Sequence, residues 1–486
     1  MKFYLTEMDK ELKIFDDKLI RNLNALSSNK LEYWDIRADI NTGTIIEFTD
    51  NTSKQISSHK IGSCGIRTFI NGGWGFVALE ELSRNAIESS FQKAIKLAKL
   101  SEANTRSKFK LKGRDPIKDN FTVKPKKKLE NVDISEKINL VKDHEKIAAE
   151  FDPHINNTRT LYFDAISDRI FLNSYGSEIK QKLSLLRIFC AAYAQKNGII
   201  QKSMNSAGGL GGFEINDTQK AKNISKKSAR EAVDLLDAES PKGGKSVIIM
   251  DPELTGTFIH EAFGHAAEAD HILNKESILA GKLGEKVALD KVTILDDPRI
   301  ERSREFNIPY LLYGSYKFDD EGIPSQETKI VENGILKNFL HTTETASRMD
   351  VAPNGHGRAS SVSTRPQVRM GVTILEGGDW SLEDMIEDVD EGILCEGFQY
   401  GYTDVTTGNF QFKCSLSYKI ENGEKTDLMR DVALSGMTLE VLNKITAMGK
   451  DINFSDGMCG KGGQRVRVCD GGPYIRVKDV TVGGLK

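Results

Sequence analysis

Two histidines and a glutamate carry the chemistry most readily read from this chain, in the segment His260-Glu261-Ala262-Phe263-Gly264-His265. Imidazole is a common zinc ligand, and a carboxylate next to such a ligand suits a base acting on a metal-activated water. The familiar helical zinc pattern sets its histidines at i and i+4, about 40° apart around the axis, where both rings reach one ion. Here they stand at i and i+5, about 140° apart on a regular α-helix. One inserted residue, a π-bulge, brings the second ring back to where i+4 would sit. The spacing therefore predicts a locally deformed helix, with Gly264 at the natural place for the distortion. Glu261 is read as the base, and Glu268 as a carboxylate that orients His265 rather than a ligand.

A catalytic zinc usually has three protein ligands and a water, so two histidines are one short. Cys459, His271, His341, His356, Glu268 and Asp270 are all candidates, and residue type does not choose among them. His59, His144 and His154 lie in the other half of the chain and read as ordinary surface histidines. Arg365 and Arg369 read as surface arginines rather than a grip on a peptide carboxylate.

The motif needs a helix, and Asp251-Pro252 provides its start, with an aspartate cap and proline at the first helical position. A short apolar strand over 246–250 precedes it. On a wheel, His260, Glu261, Gly264, His265 and Glu268 share one arc, with Ile259, Ala262, Phe263 and Ala266 opposite. Upstream, alternation over 31–49 predicts strands, and Asn71-Gly72-Gly73 a turn between strands at 66–70 and 74–77. Apolar residues at helical spacing predict helices over 83–100 and 225–236. The lysine run at 124–128 reads as a solvated connection. A polar segment with Pro and Gly at 237–244 divides the chain into 1–240 and 241–486. Downstream, Glu332-Asn333-Gly334 and Glu421-Asn422-Gly423 predict β-hairpins with type I′ turns. The fold expected is α+β: a mixed N-terminal α/β domain, then a β-rich C-terminal domain carrying the metal-site helix.

Composition narrows the class. The 486 residues suffice for two domains. A net charge of −3, from 67 basic and 70 acidic residues, offers no basic footprint for nucleic acid. Six cysteines without a CxxC pair suggest a reducing compartment rather than a disulfide framework. No apolar run approaches the ~18–20 residues that cross a bilayer, and the start of the chain lacks the apolar core of a signal peptide. The expectation is a cytoplasmic protein without membrane or nucleic-acid partners.

The segment from His260 to Asp270 resembles the signature of the TldD/PmbA family of metallopeptidases, in the TldD branch that keeps the metal motif. The resemblance extends to Gly65-Ile66-Arg67, Gly75-Phe76, Asp296-Asp297-Pro298 and Asp319-Asp320-Glu321-Gly322. It continues in Pro366-Gln367-Val368-Arg369-Met370, Cys459-Gly460-Lys461-Gly462-Gly463-Gln464 and the terminal Val482-Gly483-Gly484. It implies a zinc peptidase acting on short or unfolded peptides, with His260, His265 and Cys459 holding the metal and Glu261 as catalytic glutamate. It also implies a two-chain assembly, a homodimer or a heterodimer with a TldE-like paralogue. Gly457 and Gly460 flank Cys459 and would let its backbone turn tightly toward the helix, while the other five cysteines read as inert core residues. The rival reading is a non-catalytic binding or regulatory subunit of a TldD/TldE-like complex. The hairpin-rich second domain is expected to offer a strand edge to an extended peptide.

Overall fold

The computed structural model describes residues 9–105 and 107–484; residues 1–8, part of the start read above, lie outside them. The first half is built on one sheet of seven strands. They are β1 (Tyr33–Thr49), β2 (Thr52–Ile70), β3 (Gly73–Leu79), β4 (Lys118–Thr122), β5 (Ile155–Asn173), β6 (Glu178–Lys196) and β7 (Ile199–Leu210). Their order is β3-β2-β1-β5-β6-β4, with β7 also on β6. Asn71 and Gly72 both take positive φ between β2 and β3, as the predicted turn requires. Helices α1 (Asp17–Ser27), α2 (Arg84–Asn104), α3 (Ile134–Ala149) and α4 (Gln219–Asp234) cover this sheet.

Strand alternation decides what each face meets. Trp34, Ile36, Ala38, Ile40, Ile46 and Phe48 of β1 enter the cores shared with the helices. The intervening Asp35, Arg37 and Asp39 are buried on the other face. The helix predicted over 225–236 begins earlier, because Thr218 caps it and Ala221 and Ile224 already belong to its buried face. The lysines between them point outward and dilute the apolar period. His144, read as a surface residue, is in fact buried, with Nδ1 2.8 Å from the Ser225 hydroxyl. The lysines at 124 and 126–128 are exposed, as expected.

The second half is rich in strands. Strand Gly244–Met250 pairs with Glu391–Asp404 and Ile475–Gly484. Val432–Met437 and Asn409–Glu421 complete the circuit back to Glu391–Asp404, closing five strands into a barrel. A six-stranded sheet stands beside it in the order Ile335–Leu336, Thr328–Glu332, Ile294–Asp296, Val372–Leu375, Gln464–Gly472, Asn453–Lys461. Both predicted Asn-Gly turns are present, with positive φ at Asn333, Gly334, Asn422 and Gly423. The fold is α+β with a β-rich C-terminal region. Among the described residues no helix is long and apolar enough to cross a membrane, and all six cysteines are free and buried.

Close backbone approach and buried ion pairs join the halves. Arg67 of β2 binds Asp35 within its own sheet and Glu321 of the second half, the latter at 2.7 Å, with all three side chains buried. A β-carbon placed on Gly65, two residues earlier, would lie 1.9 Å from the carbonyl oxygen of Val362. Gly65→Ala should therefore destabilise the protein by about 1–3 kcal/mol through forced displacement of the two halves. Gly113→Ala, which meets nothing within 4 Å, should stay within about 0.5 kcal/mol of wild type. Urea unfolding of both variants checks the difference.

Candidate metal centre

The helix that carries the histidines starts as the sequence predicts. Asp251 caps it by accepting from the N–H of Leu254, with Pro252 in its first turn, and α-helix runs over Pro252–Phe258. Phe258 anchors it by packing edge-on against Phe410 and Phe412 of the barrel. The next segment, Ile259–Gly264, is a π-helix, and the N–H of His265 donates to the carbonyl of His260, five residues back. The deformation expected from the i, i+5 spacing is thus present. The ring centres of His260 and His265 lie 5.3 Å apart at 87°. Gly264 keeps ordinary right-handed angles, so backbone freedom is not what selects glycine there. A β-carbon at 264 would sit 2.1 Å from Sδ of the buried Met370, so close packing selects it.

The third member of the group comes from the far end of the chain. Cys459 Sγ lies 3.2 Å from Nε2 of His265. One ligand atom each from His260, His265 and Cys459 falls within 4.8 Å of the others. That spread suits a single ion with bonds of ~2.0–2.3 Å. Cys459 is not on a tight loop, as its flanking glycines suggested. It lies within strand Asn453–Lys461, and the chain reverses afterwards at Gly462 and Gly463, both with positive φ. His260 is buried, with Nδ1 2.7 Å from Asp470 but out of line for a hydrogen bond, and neither ring nitrogen has an aligned partner. A buried imidazole without aligned hydrogen bonds is costly unless something else binds it. Two imidazoles and a thiol are donors that zinc accepts, so the residues present fit such an ion.

Electrostatics favour the same use. Burial would raise the Cys459 thiol, but His260 and His265 beside it bring it down to about 5. Burial would lower His265, yet Glu268 and Cys459 hold it up at about 10. Glu268, fully buried, accepts from His265 Nδ1 at 2.9 Å, so it sits where an orienting carboxylate should. Burial opposes its charge, but His265 and Lys461 keep it down at about 2. Glu261 is half-buried and the most accessible member of the site, with Oε2 3.8 Å from His265 Nε2.

The remaining candidates stand elsewhere. His356 is buried with one nitrogen 3.1 Å from Asp296 and the other 3.1 Å from Asn354. His341 lies against Thr345. Glu268, Asp270 and His271 form a second group of possible ligands, but Lys461 Nζ already lies 3.0 Å from Glu268 and 2.7 Å from Asp270. A lysine ammonium thus occupies the place a cation would take.

Comparison with known proteins shows the family. Models of the PmbA/TldA metallopeptidase domain 1, central domain and C-terminal domain match residues 34–98, 127–236 and 243–484. A metalloprotease of Methanocaldococcus jannaschii is 39% identical over 92% of this chain and 96% of its own. The chain belongs to the PmbA/TldD metallopeptidase family. A zinc metalloprotease TldD homolog of Saccharolobus solfataricus is 30% identical over 92% of this chain and 96% of its own. The crystal structure of TldE from Thermococcus kodakarensis superposes with a TM-score of 0.77, covering 96% of this chain and all of that one at 19% identity. At that identity the likeness concerns the fold.

Within this family member, the sequence reading missed the residues that hold the Cys459 strand. Lys461 ties its end to the helix through Glu268 and Asp270. Asp456 ties its middle to the first half, through Arg187 at 2.7 Å, Lys220 at 3.1 Å and the Ser206 hydroxyl. Arg369 is not a surface residue: it is fully buried and donates to the carbonyl of Cys459 at 2.6 Å. Arg365 is exposed, as expected. Lys461 and Arg369 stood in segments that resemble the family, whereas Asp456, Arg187 and Lys220 carried no such signal.

Burial would raise the Asp456 carboxyl, but Lys220 and Arg187 outweigh it and hold the group well below the usual carboxylate range. A depressed folded value adds stability above the unfolded pKa of ~3.9, and that stability fades as pH falls below it. Asp456→Ala should cost roughly 1.5–3 kcal/mol at pH 7. Unfolding measured from pH 7 to 2 should show its deficit shrinking at the acid end.

Proposed function

We propose that this chain is a zinc-dependent peptidase acting on short or unfolded peptides, with His260, His265 and Cys459 holding the ion and Glu261 serving as base. The observation that carries the reading is the convergence of two imidazoles and a thiol, one imidazole buried with no aligned hydrogen bond, beside a half-buried carboxylate. A zinc ion held there would polarise the scissile carbonyl and lower the pKa of a water. Glu261, on the open side, takes the proton of the attacking water at Oε2 and returns it to the leaving amine nitrogen. Glu268 keeps His265 oriented through Nδ1, leaving Nε2 directed at the centre. The Saccharolobus relative's name supports zinc as the metal.

The strand bearing Cys459 supports the substrate class. Asn453–Lys461 is the outermost strand of its sheet, paired among the described residues only with Gln464–Gly472. An extended peptide laid along this edge would bind by main-chain hydrogen bonds with little side-chain selectivity, which a folded protein does not offer. Assembly as a pair, with itself or with a TldE-like paralogue, is what the family resemblance implies. The chain then works without membrane or nucleic-acid partners in the cytoplasm, and its two units divide near residue 240.

Three variants test the centre together, read by bound zinc and by turnover of an unfolded peptide. Glu261→Gln should keep the metal and lose turnover by at least ~10²–10⁴-fold. Cys459→Ala should lose both, and Cys469→Ala should keep both. A Cys459→Ala protein with full zinc and full turnover would overturn the ligand set. For the substrate class, a stable folded protein should be cut far more slowly than its denatured form, measured by fragment release. Equal rates would refute the edge-strand reading.

A further inference from the structure

A cavity of ≈ 250 Å³ lies between the two halves on the side of the Cys459 hairpin away from the histidines. Met458 pairs across the hairpin with Arg467, and both line this cavity. Alternation places them opposite Cys459, so the cavity is separate from the metal centre. Its polar wall is dominated by arginines: Arg37 and Arg169 from the first half, Arg358, Arg465 and Arg467 from the second.

Most of their hydrogen bonds go to backbone carbonyls rather than to carboxylates. Arg37 donates to the carbonyls of Ser361 and Thr364, Arg358 to those of Met370 and Arg467, and Arg467 to those of Tyr313 and Ser315. Carbonyl oxygens satisfy N–H groups without cancelling charge. Asp320 forms long ion pairs, at 3.7 Å, with both Arg37 and Arg169, so one carboxylate is shared between two guanidinium groups. Asp319 is taken up by three backbone N–H groups, and burial with the neighbouring Glu321 pushes its carboxyl above the usual carboxylate range. The strain shows on Arg467, which burial and the neighbouring Arg358 and Arg169 pull down to about 9. Nε of Arg37, a residue only 3% exposed, has no partner. Apolar side chains stand among them: Phe171 is the cross-strand neighbour of Arg37, Phe163, Leu183 and Leu185 share that sheet face, and Phe318 comes from the second half.

From this geometry we infer a binding site for a small carboxylate that carries an apolar side chain, of the size of an acylated amino acid or a dipeptide. The arginines bind the carboxylate as a planar acceptor, and the phenylalanines and leucines take the side chain. The volume falls just under the ~300–1,000 Å³ of pockets for larger ligands. The site is independent of the peptidase reading, since none of its walls carries a proposed zinc ligand.

N-acetyl-L-phenylalanine, its amide and inorganic phosphate, titrated calorimetrically into the purified full-length protein, test the site. Arg37, Arg358 and Arg467 are too buried to replace without risk to folding, whereas Arg169, at 27% side-chain exposure, is not. The acid should bind saturably, the amide at least tenfold more weakly, and phosphate without saturation below millimolar concentration. Arg169→Gln should weaken the acid about tenfold, while Glu261→Gln, at the metal centre, should leave its binding unchanged. Equal binding of acid and amide, preferential binding of phosphate, loss in Glu261→Gln, or no saturable binding of the acid would each overturn the inference.

Discussion

The hydrogen bond from the N–H of His265 to the carbonyl of His260 governs the arrangement of the centre. It spans five residues instead of four and so cancels the angular excess that an i, i+5 pair would otherwise carry. π-Turns are uncommon because they loosen the helix core, and this one is held by what surrounds it. Phe258 fixes the helix into the barrel before the turn, and Met370 fills the surface at Gly264 within it. The helix also lies against strand Gln464–Gly472 through glycine contacts. A β-carbon at Gly256 would stand 3.0 Å from the backbone at Asp470 and Gly471, and one at Gly472 would stand 2.8 Å from Thr255.

The third donor depends on a different device. A strand at the edge of a sheet has one free side and moves easily unless something fixes it. Here Asp456 anchors it to Arg187 and Lys220, and Lys461 anchors it to Glu268 and Asp270. Arg369 adds a bond to the Cys459 carbonyl itself. Buried ionic groups contribute little net stability when paired, but losing one partner is expensive, so such clamps favour a single placement. The first half thus reaches the metal centre without supplying a donor, because it holds the strand that does.

Much of this was legible in the residue order. Strand alternation in β1, the Asn-Gly turns, the Asp251-Pro252 helix start and the need for a π-turn all follow from local rules of backbone geometry and side-chain spacing. The apolar face of α2 was read directly from its period, and Ile87, Phe91, Ala94, Ile95 and Ala98 are indeed buried. Where local reading failed, the cause was also local. The lysines of α4 hid its first turns, and a histidine or arginine with a buried partner, such as His144 or Arg369, looks in sequence like any exposed one.

By itself, the sequence determined that two imidazoles could share an ion only through a deformed helix, and that a carboxylate would stand beside them, because these depend on residues a few positions apart. It left the third donor open among six residues on chemical grounds, and resemblance alone singled out Cys459. Only the tertiary structure decided which of the six lies within reach, because 194 residues separate Cys459 from His265 and contact at that range depends on sheet order, not spacing. The same holds for Lys461 beside Glu268, for Asp456 beside Arg187, and for the arginines that meet between the halves. Each is a contact between distant segments whose partners carry no mark in the local pattern.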